Sequence, residues 1–336
     1  MSFQSKINKQ EKGVWRYADF YDEFIEMENR LILRQAQDDN SVIVSLSNYN
    51  HLYFKREDEN ICGSLKDRSL AYQVSLAKQN KKKKLVISTS GNAGIAAAAY
   101  CQKAGIKLYI FISPETEKAK IAEMQKYNPV IIKSKRAIRL ANYLSAKYKI
   151  ENLRPSVNNS SIEGFKSIAF EIFEDLGRVD AIFTFVTSGS SFVGIGRAWQ
   201  YLLENKEIKK MPKLYAVQNK DELSIAGKLG IKNTRRKKEI LELIKLSEGS
   251  SIYVNNNEIL EAENILKNNK IYTSPEGCAS FAGVIKTSKE NKFKKTVCIL
   301  SGRVRNNYDK IDEGKIYEAE SFGEMDEIIN GKMNGN

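Results

Sequence analysis

Leu85-Val86-Ile87-Ser88-Thr89-Ser90-Gly91-Asn92-Ala93-Gly94-Ile95-Ala96-Ala97-Ala98-Ala99-Tyr100 decides the fold class. Leu85 to Ser88 reads as a short buried strand. Thr89 to Asn92 is a small polar turn, and Ala93 to Tyr100 is a strong helix former that Gly105 ends as a C-cap. Downstream the alternation repeats. Leu108 to Ile112 is strand-like and is closed by Ser113-Pro114; Lys118 to Tyr127 is helical; Val130 to Ile132 is a third strand and Ala137 to Tyr148 a third helix. Such β-α alternation predicts an α/β fold with parallel sheets. A second series starts near Glu163. Phe165 to Leu176 is amphipathic with Gly177 past its end, and Ala181 to Val186 is a strand. Thr187-Ser188-Gly189-Ser190-Ser191 leads into a helix reaching Leu203. Leu214–Val217, Ile252–Val254 and Thr296–Leu300 complete the strands; Glu258–Leu266 and Gly277–Lys286 read as helices.

Length and composition narrow the function. The 336 residues suit about two domains, and 42% hydrophobic with 28% charged residues is ordinary for a globular chain. Lys+Arg of 54 against Asp+Glu of 41 gives a net charge of +13, but the lysines are spread among acids as on a solvated surface. A single histidine, His51, excludes multi-histidine metal sites and leaves one candidate for any Ser-His-Asp triad; it reads as structural or exposed. The four cysteines, Cys62, Cys101, Cys278 and Cys298, form no CxxC, and three lie in apolar stretches as core residues. No apolar run reaches membrane-span length and the N-terminus is polar, so the expected location is cytoplasmic.

Two strand-to-helix turns, Ser88–Asn92 and Thr187–Ser191, are small and hydroxyl-rich. Turns of this kind lie at the carboxyl edge of a parallel sheet, where free amides and the helix dipole bind anions. Either one alone reads as an ordinary N-cap. A third element, Gly63-Ser64-Leu65-Lys66-Asp67-Arg68-Ser69, puts a lysine at the positive end of a helix running to about Gln79, a place that lowers its proton affinity.

Gly63–Arg68, Ser88–Ala93, Glu163-Gly164-Phe165-Lys166-Ser167-Ile168-Ala169, the Thr187–Ser191 loop and Leu300-Ser301-Gly302 resemble, in this order, the motifs of fold-type II pyridoxal-phosphate enzymes, and among them threonine synthases. Gly13-Val14-Trp15-Arg16-Tyr17-Ala18 is similar to that family's N-terminal segment, and Leu52–Asp58 to the strand before its lysine. The resemblance implies two open α/β domains of tryptophan synthase beta-like architecture with the cofactor, pyridoxal 5'-phosphate, in the cleft between them. It implies that Lys66 forms the Schiff base and moves protons, and that Asn92 hydrogen-bonds the cofactor's phenolic oxygen. Thr89, Ser90, Gly91 and Ala93, with Ser156 further on, hold the substrate. Ser188, Gly189, Ser190 and Ser191 cradle the cofactor phosphate, and Ser301 faces the pyridine nitrogen. A hydroxyl there leaves the ring a weaker electron sink than an aspartate does, which favours prompt loss of a leaving group. A homodimer and a small amino-acid substrate follow from the same resemblance; the spread of lysines and the lack of a long apolar run argue against nucleic-acid or membrane partners.

The chain departs from that pattern in places. Asn60-Ile61-Cys62 replaces the usual approach to the lysine, and the phosphate loop is serine-rich with Phe192 at a normally small position, narrowing the space. No counterpart of a family segment is found around Leu31 to Ser47. Ser161 stands where these threonine synthases commonly place a phosphate-gripping arginine, and serine cannot supply that bidentate contact. Arg303 and Arg305 read as solvated surface, and Glu276 as either near the cofactor ring or a surface turn acid. The implied activity is threonine synthase-like, phosphohomoserine to threonine plus phosphate. A threonine/serine dehydratase or a cysteine-synthase-like β-replacement enzyme stays open, as does, from another class, a non-catalytic relative binding an anion or nucleic acid. The expected domains are 80–155 (smaller), 1–79 with 156–320 (larger, cofactor-binding) and a peripheral tail over 321–336.

Overall fold

The structure, a computed structural model, describes residues 2–23, 25–31, 43–45 (backbone only), 51–227, 230–288, 293–305 and 311–331. Most of the stretch Leu31 to Ser47 thus lies outside the described residues. Strands in chain order are β1 (Ile43–Ser45), β2 (Leu52–Lys55), β3 (Lys84–Ser88), β4 (Lys107–Ile112), β5 (Val130–Lys133), β6 (Glu151–Asn152), β7 (Ala181–Phe185), β8 (Lys213–Asn219), β9 (Ser250–Val254), β10 (Thr296–Ile299) and β11 (Ile316–Glu318). Helices are α1 (Phe3–Lys6), α2 (Lys66–Gln79), α3 (Asn92–Ala104), α4 (Lys118–Gln125), α5 (Ala137–Tyr148), α6 (Ser161–Leu176), α7 (Ser190–Glu204), α8 (Lys237–Leu246), α9 (Asn256–Asn268), α10 (Pro275–Ser288) and α11 (Phe322–Ile329).

The chain divides into two compact units: Met1–Phe24, Ala36–Arg68 and Ile162–Val304 form the first, and Ile25–Gln35, Ser69–Ser161 and Arg305–Asn336 the second. The first unit holds a sheet in the order β1-β2-β10-β7-β8-β9, parallel except for the antiparallel β1–β2 pair. Its central strands are buried apolar runs, as strands covered on both faces must be. One face packs Phe165, Phe170, Trp199 and Leu214; the other packs Phe54, Phe183, Val217 and Phe281. The N-terminal segment joins the first of these clusters through Phe3, Tyr17 and Phe20. The second unit holds an all-parallel sheet, β11-β5-β4-β3-β6, with Val86, Tyr109, Phe111 and Ile132 at its core.

The expected α/β class and parallel sheets are found; the segment boundaries fall elsewhere. The division lies between Arg68 and Ser69, within α2, rather than after Gln79, and between Ser161 and Ile162 rather than near Pro155. Residues from Arg305 onward belong to the second unit, and 321–329 is not a peripheral tail. β11 pairs with β5, and Met325 and Ile328 of α11 are buried in that unit's core. A capping box, Ser321 with Glu324, starts α11, and Phe322 stacks on Tyr143 at 4.1 Å. Also absent from the sequence reading are β6 and α8.

Candidate active site

In the first unit, parallel pairing brings the ends of β2, β7 and β10 to one carboxyl edge. The segment after β10 then binds the segment before α2. Leu65 N donates to Ser301 O at 3.0 Å, Ser64 bridges Gly302, and Arg303 N donates to Gly63 O at 2.9 Å. Lys66 and Ser301 are thereby held on adjacent backbones. Gly63 is required at its place: its φ is +73°, and a Cβ there would lie 1.8 Å from Arg303 Nε. Arg303 crosses this glycine and donates from Nη2 to Ile61 O at 2.7 Å. It is exposed overall but anchored, a more specific position than a solvated surface arginine.

Lys66 is the first residue of α2 and is half-buried. Burial of its ammonium lowers the pKa from 10.5 to about 8, and the Glu276 carboxylate in the first turn of α10 opposes that shift. Its Nζ lies 5.2 Å from the centre of the Phe165 ring. An amine so poised is neutral in a useful fraction of molecules near neutral pH, the state in which it attacks a carbonyl.

A buried ionic network fixes the start of α2. Arg68 grips Glu57 at 2.8 and 3.0 Å and Glu171 on α6 at 2.7 Å; Lys55 at the end of β2 donates to Glu171 at 2.6 Å. Lys55, Glu57 and Glu171 are completely buried and Arg68 is 3% exposed. Two cations face two carboxylates with several hydrogen bonds each, the condition under which buried charge is tolerated. Asp67, beside Lys66, accepts from Cys62 N at 2.7 Å, and burial raises its pKa to about 6.

The Thr187–Ser191 loop leaves β7 on the same edge. Gly189 is the N-cap of α7 with φ +83°, so it has no side chain to satisfy the first-turn amides. Ser190 and Ser191 are buried in the first turn, and Ser188 is half-buried. Phe192, expected to narrow this loop, is 2% exposed in the core cluster with Leu65 and Ile162.

The second unit carries the other predicted turn. Thr89 to Gly91 leave β3, and α3 begins at Asn92 with Gly91 as N-cap. The Thr89 hydroxyl accepts from Gly91 N at 3.2 Å. Asn92 Oδ1 accepts from Arg305 Nη1 at 2.8 Å, and Arg305 pairs with Glu123 at 2.9 Å. With Oδ1 taken, the Asn92 amide is oriented so that Nδ2 is its remaining donor. The Arg305 side chain is 3% exposed, not the solvated surface residue expected. Ser156 follows β6 and is half-buried. Ser161 is fully buried; its hydroxyl donates to Pro155 O at 3.0 Å and its carbonyl accepts from Ser69 Oγ at 2.8 Å. Its hydroxyl thus ties the start of α6 to the preceding turn.

His51 is exposed, and its carbonyl accepts from Thr296 N at 2.7 Å. All four cysteines are buried and none is in a disulfide. Among the described residues no cluster of His, Cys, Asp or Glu could hold a metal, and no helix is long and apolar enough to cross a membrane.

A Lys-bearing helix start and a serine-rich helix N-terminus lie on one carboxyl edge, chemistry that suits a carbonyl compound carrying a phosphate. Comparison with known proteins gives that class its family. A profile for "Pyridoxal-phosphate dependent enzyme" matches residues 42–302. This chain belongs to that family, and its cofactor is pyridoxal 5'-phosphate. Curated relatives include threonine synthases of Halalkalibacterium halodurans (28% identical, covering 84% of this chain and 87% of the relative) and of Bacillus sp. strain ULM1 (30%, covering 75% and 77%). The threonine synthase of Methanocaldococcus jannaschii is 26% identical over 89% of this chain and 82% of its own. Among solved structures, maize serine racemase aligns with a TM-score of 0.67 at 18% identity, covering 79% of this chain and 88% of its own. A hydrogen sulfide-producing enzyme of Fusobacterium nucleatum aligns at 0.65 and 19%, covering 78% and 92%. These structures share the fold.

The residues fit the cofactor. Lys66 offers a partly neutral amine to an aldehyde. The N-terminus of α7 offers amides to a phosphate. Beside Gly302, whose carbonyl accepts from Ser274 N at 2.6 Å, the buried Ser274 hydroxyl has no partner among the described residues, a polar atom available to a bound group. Sequence reasoning missed Arg68, Arg236 and the engagement of Arg305. Each has a partner far away in sequence, Glu171 for Arg68, Ser190 for Arg236 and Asn92 for Arg305, although Arg236 directly precedes the amphipathic run Lys237–Leu246, a helix-start signal that was readable.

Proposed function

We propose that this chain is an enzyme eliminating or replacing a side-chain substituent of an amino acid, with threonine synthase-like conversion of phosphohomoserine to threonine and phosphate as its leading activity. The observation that carries the reading is the Lys66 amine, lowered by burial and tied through Leu65 to Ser301. The bound cofactor supplies electron withdrawal from the substrate's α carbon. Lys66, once free, takes and returns protons at the substrate's carbons, its pKa near 8 suiting both directions at neutral pH. Ser301 offers the ring nitrogen a hydroxyl in place of a charge. Ser188, Gly189, Ser190 and Ser191 hold the cofactor phosphate. For the second unit, the family resemblance assigns substrate contacts to Thr89, Ser90, Gly91, Ala93 and Ser156 and the hydrogen bond to the cofactor's phenolic oxygen to Asn92. Threonine synthases spanning most of this chain support the leading activity.

Ser161 supports a second reading, a relative with a changed leaving group. Its hydroxyl is spent on Pro155 O at 3.0 Å, leaving no phosphate grip where an arginine commonly stands. The test is a substrate panel on the yellow, cofactor-loaded protein: phosphohomoserine, serine, threonine and O-activated serines. Phosphate and threonine from phosphohomoserine support the leading activity. Turnover of only serine, threonine or an O-activated serine moves the assignment to a dehydratase or β-replacement enzyme. A colourless protein that takes up no added cofactor ends both readings.

A further inference from the structure

Asn92 opens α3, with Gly91 before it as N-cap. An asparagine at a helix start ordinarily bonds its own neighbouring backbone. Here Oδ1 instead accepts from Arg305 Nη1 at 2.8 Å, across 213 residues of sequence. Arg305 Nε donates in turn to Glu123 of α4 at 2.9 Å. The Arg305 side chain is 3% exposed and that of Glu123 25%. α3 and α4 pack closely at this point. Met124, next to Glu123, is wholly buried, and a Cβ on Gly94 would come 2.7 Å from its Cε. Glu123, Arg305 and Asn92 thus form a hydrogen-bonded chain within the second unit, held at both ends by helices that touch each other.

This chain fixes which way the amide faces. A guanidinium only donates, so the atom it meets must be the carbonyl oxygen, and Nδ2 is turned to the other side. The bond also changes the donor. A cation on Oδ1 draws electron density from the amide, and successive hydrogen bonds polarise one another, so the Nδ2 hydrogens become stronger donors. A stronger donor favours an ionised oxygen over a protonated one.

We propose that Arg305, held by Glu123, is a positioning residue for Asn92: it turns Nδ2 toward the cofactor's phenolic oxygen and strengthens the bond that keeps this oxygen ionised. The inference rests on the proposed role of Asn92. Arg305 acts through the asparagine and not on the cofactor itself.

The test reads the absorbance of the full chain loaded with pyridoxal 5'-phosphate, at one pH, where the ionised phenolic oxygen gives a longer-wavelength band than the neutral phenol. Asn92→Ala is expected to move intensity from the longer to the shorter band and to change their ratio about threefold or more, the scale of one lost hydrogen bond. Arg305→Met is expected to move the ratio in the same direction by a smaller factor, and Arg305→Lys to recover part of the change. Added to Asn92→Ala, Arg305→Met is expected to change the ratio no further. Glu123→Gln keeps the guanidinium but loosens it, and is expected to give a small shift in the same direction. A wild-type ratio in Arg305→Met beside a shifted Asn92→Ala overturns the proposal and leaves the role of Asn92 intact. A further shift in the double variant overturns it in favour of a direct effect of the charge. A wild-type ratio in Asn92→Ala overturns the role of Asn92 and the proposal together. If Arg305→Met takes up no cofactor, Glu123→Gln decides, and a wild-type ratio there overturns the proposal.

Discussion

Lys66 concentrates the chemistry in one titration. Its folded pKa of about 8 lies below the ordinary 10.5, so between those values the unfolded chain holds a proton that the folded chain lacks. The stability of the cofactor-free protein therefore rises with pH from about 8 to 10.5, and the cost of the buried charge is fully present below 8. Lys66→Met is expected to abolish that slope and to stabilise the cofactor-free protein at pH 7 by about 2 kcal/mol, read from denaturant midpoints. A variant no more stable than wild type would mean that the amine is well solvated. The thiols make a contrasting prediction: all four are buried and burial raises Cys278 to about 12, so the native protein should react slowly with a thiol reagent. Unfolding should expose all four. Lys66 itself was legible because a lysine after Gly63-Ser64-Leu65 opens a helix. Arg236 was not: its partner Ser190 is separated from it by 46 residues.

At the scale of elements, the start of α2 depends on charges buried beneath it. Glu171→Gln removes the carboxylate that both Lys55 and Arg68 grip and is expected to cost about 3 to 5 kcal/mol in denaturant unfolding. A loss under 1 kcal/mol would mean the network is not load-sharing in this way. Gly63→Ala forces a side chain into positive φ and against Arg303, with an expected cost of about 1 to 3 kcal/mol and slowed cofactor capture by Lys66. The strands were legible because parallel, doubly covered strands are uninterrupted apolar runs, as in Leu108 to Ile112. α8 carries a readable amphipathic pattern, with Ile240, Leu243 and Ile244 at helical spacing, but the charged run Arg235 to Glu239 that leads into it reads as a solvated segment. β6, two residues long, carries no pattern at all.

For the molecule as a whole, the order of motifs announced the family, whereas the assignment of segments to units did not follow from order. The C-terminal segment joins the second unit because β11 pairs with β5 and α11 buries Met325, contacts made across nearly two hundred residues of chain. Removing residues 316–336 is therefore expected to lower the stability of the second unit and expose apolar surface, seen as an earlier first transition in calorimetry and increased dye binding. A truncated chain that melts like the full one would contradict that placement. The central claim is covalent, that Lys66 joins the cofactor. Borohydride reduction of the loaded protein, followed by peptide mass spectrometry, tests it most directly. The account predicts a phosphopyridoxyl adduct on the peptide containing Lys66 and none in Lys66→Ala; an adduct on another lysine, or on no peptide, would contradict it.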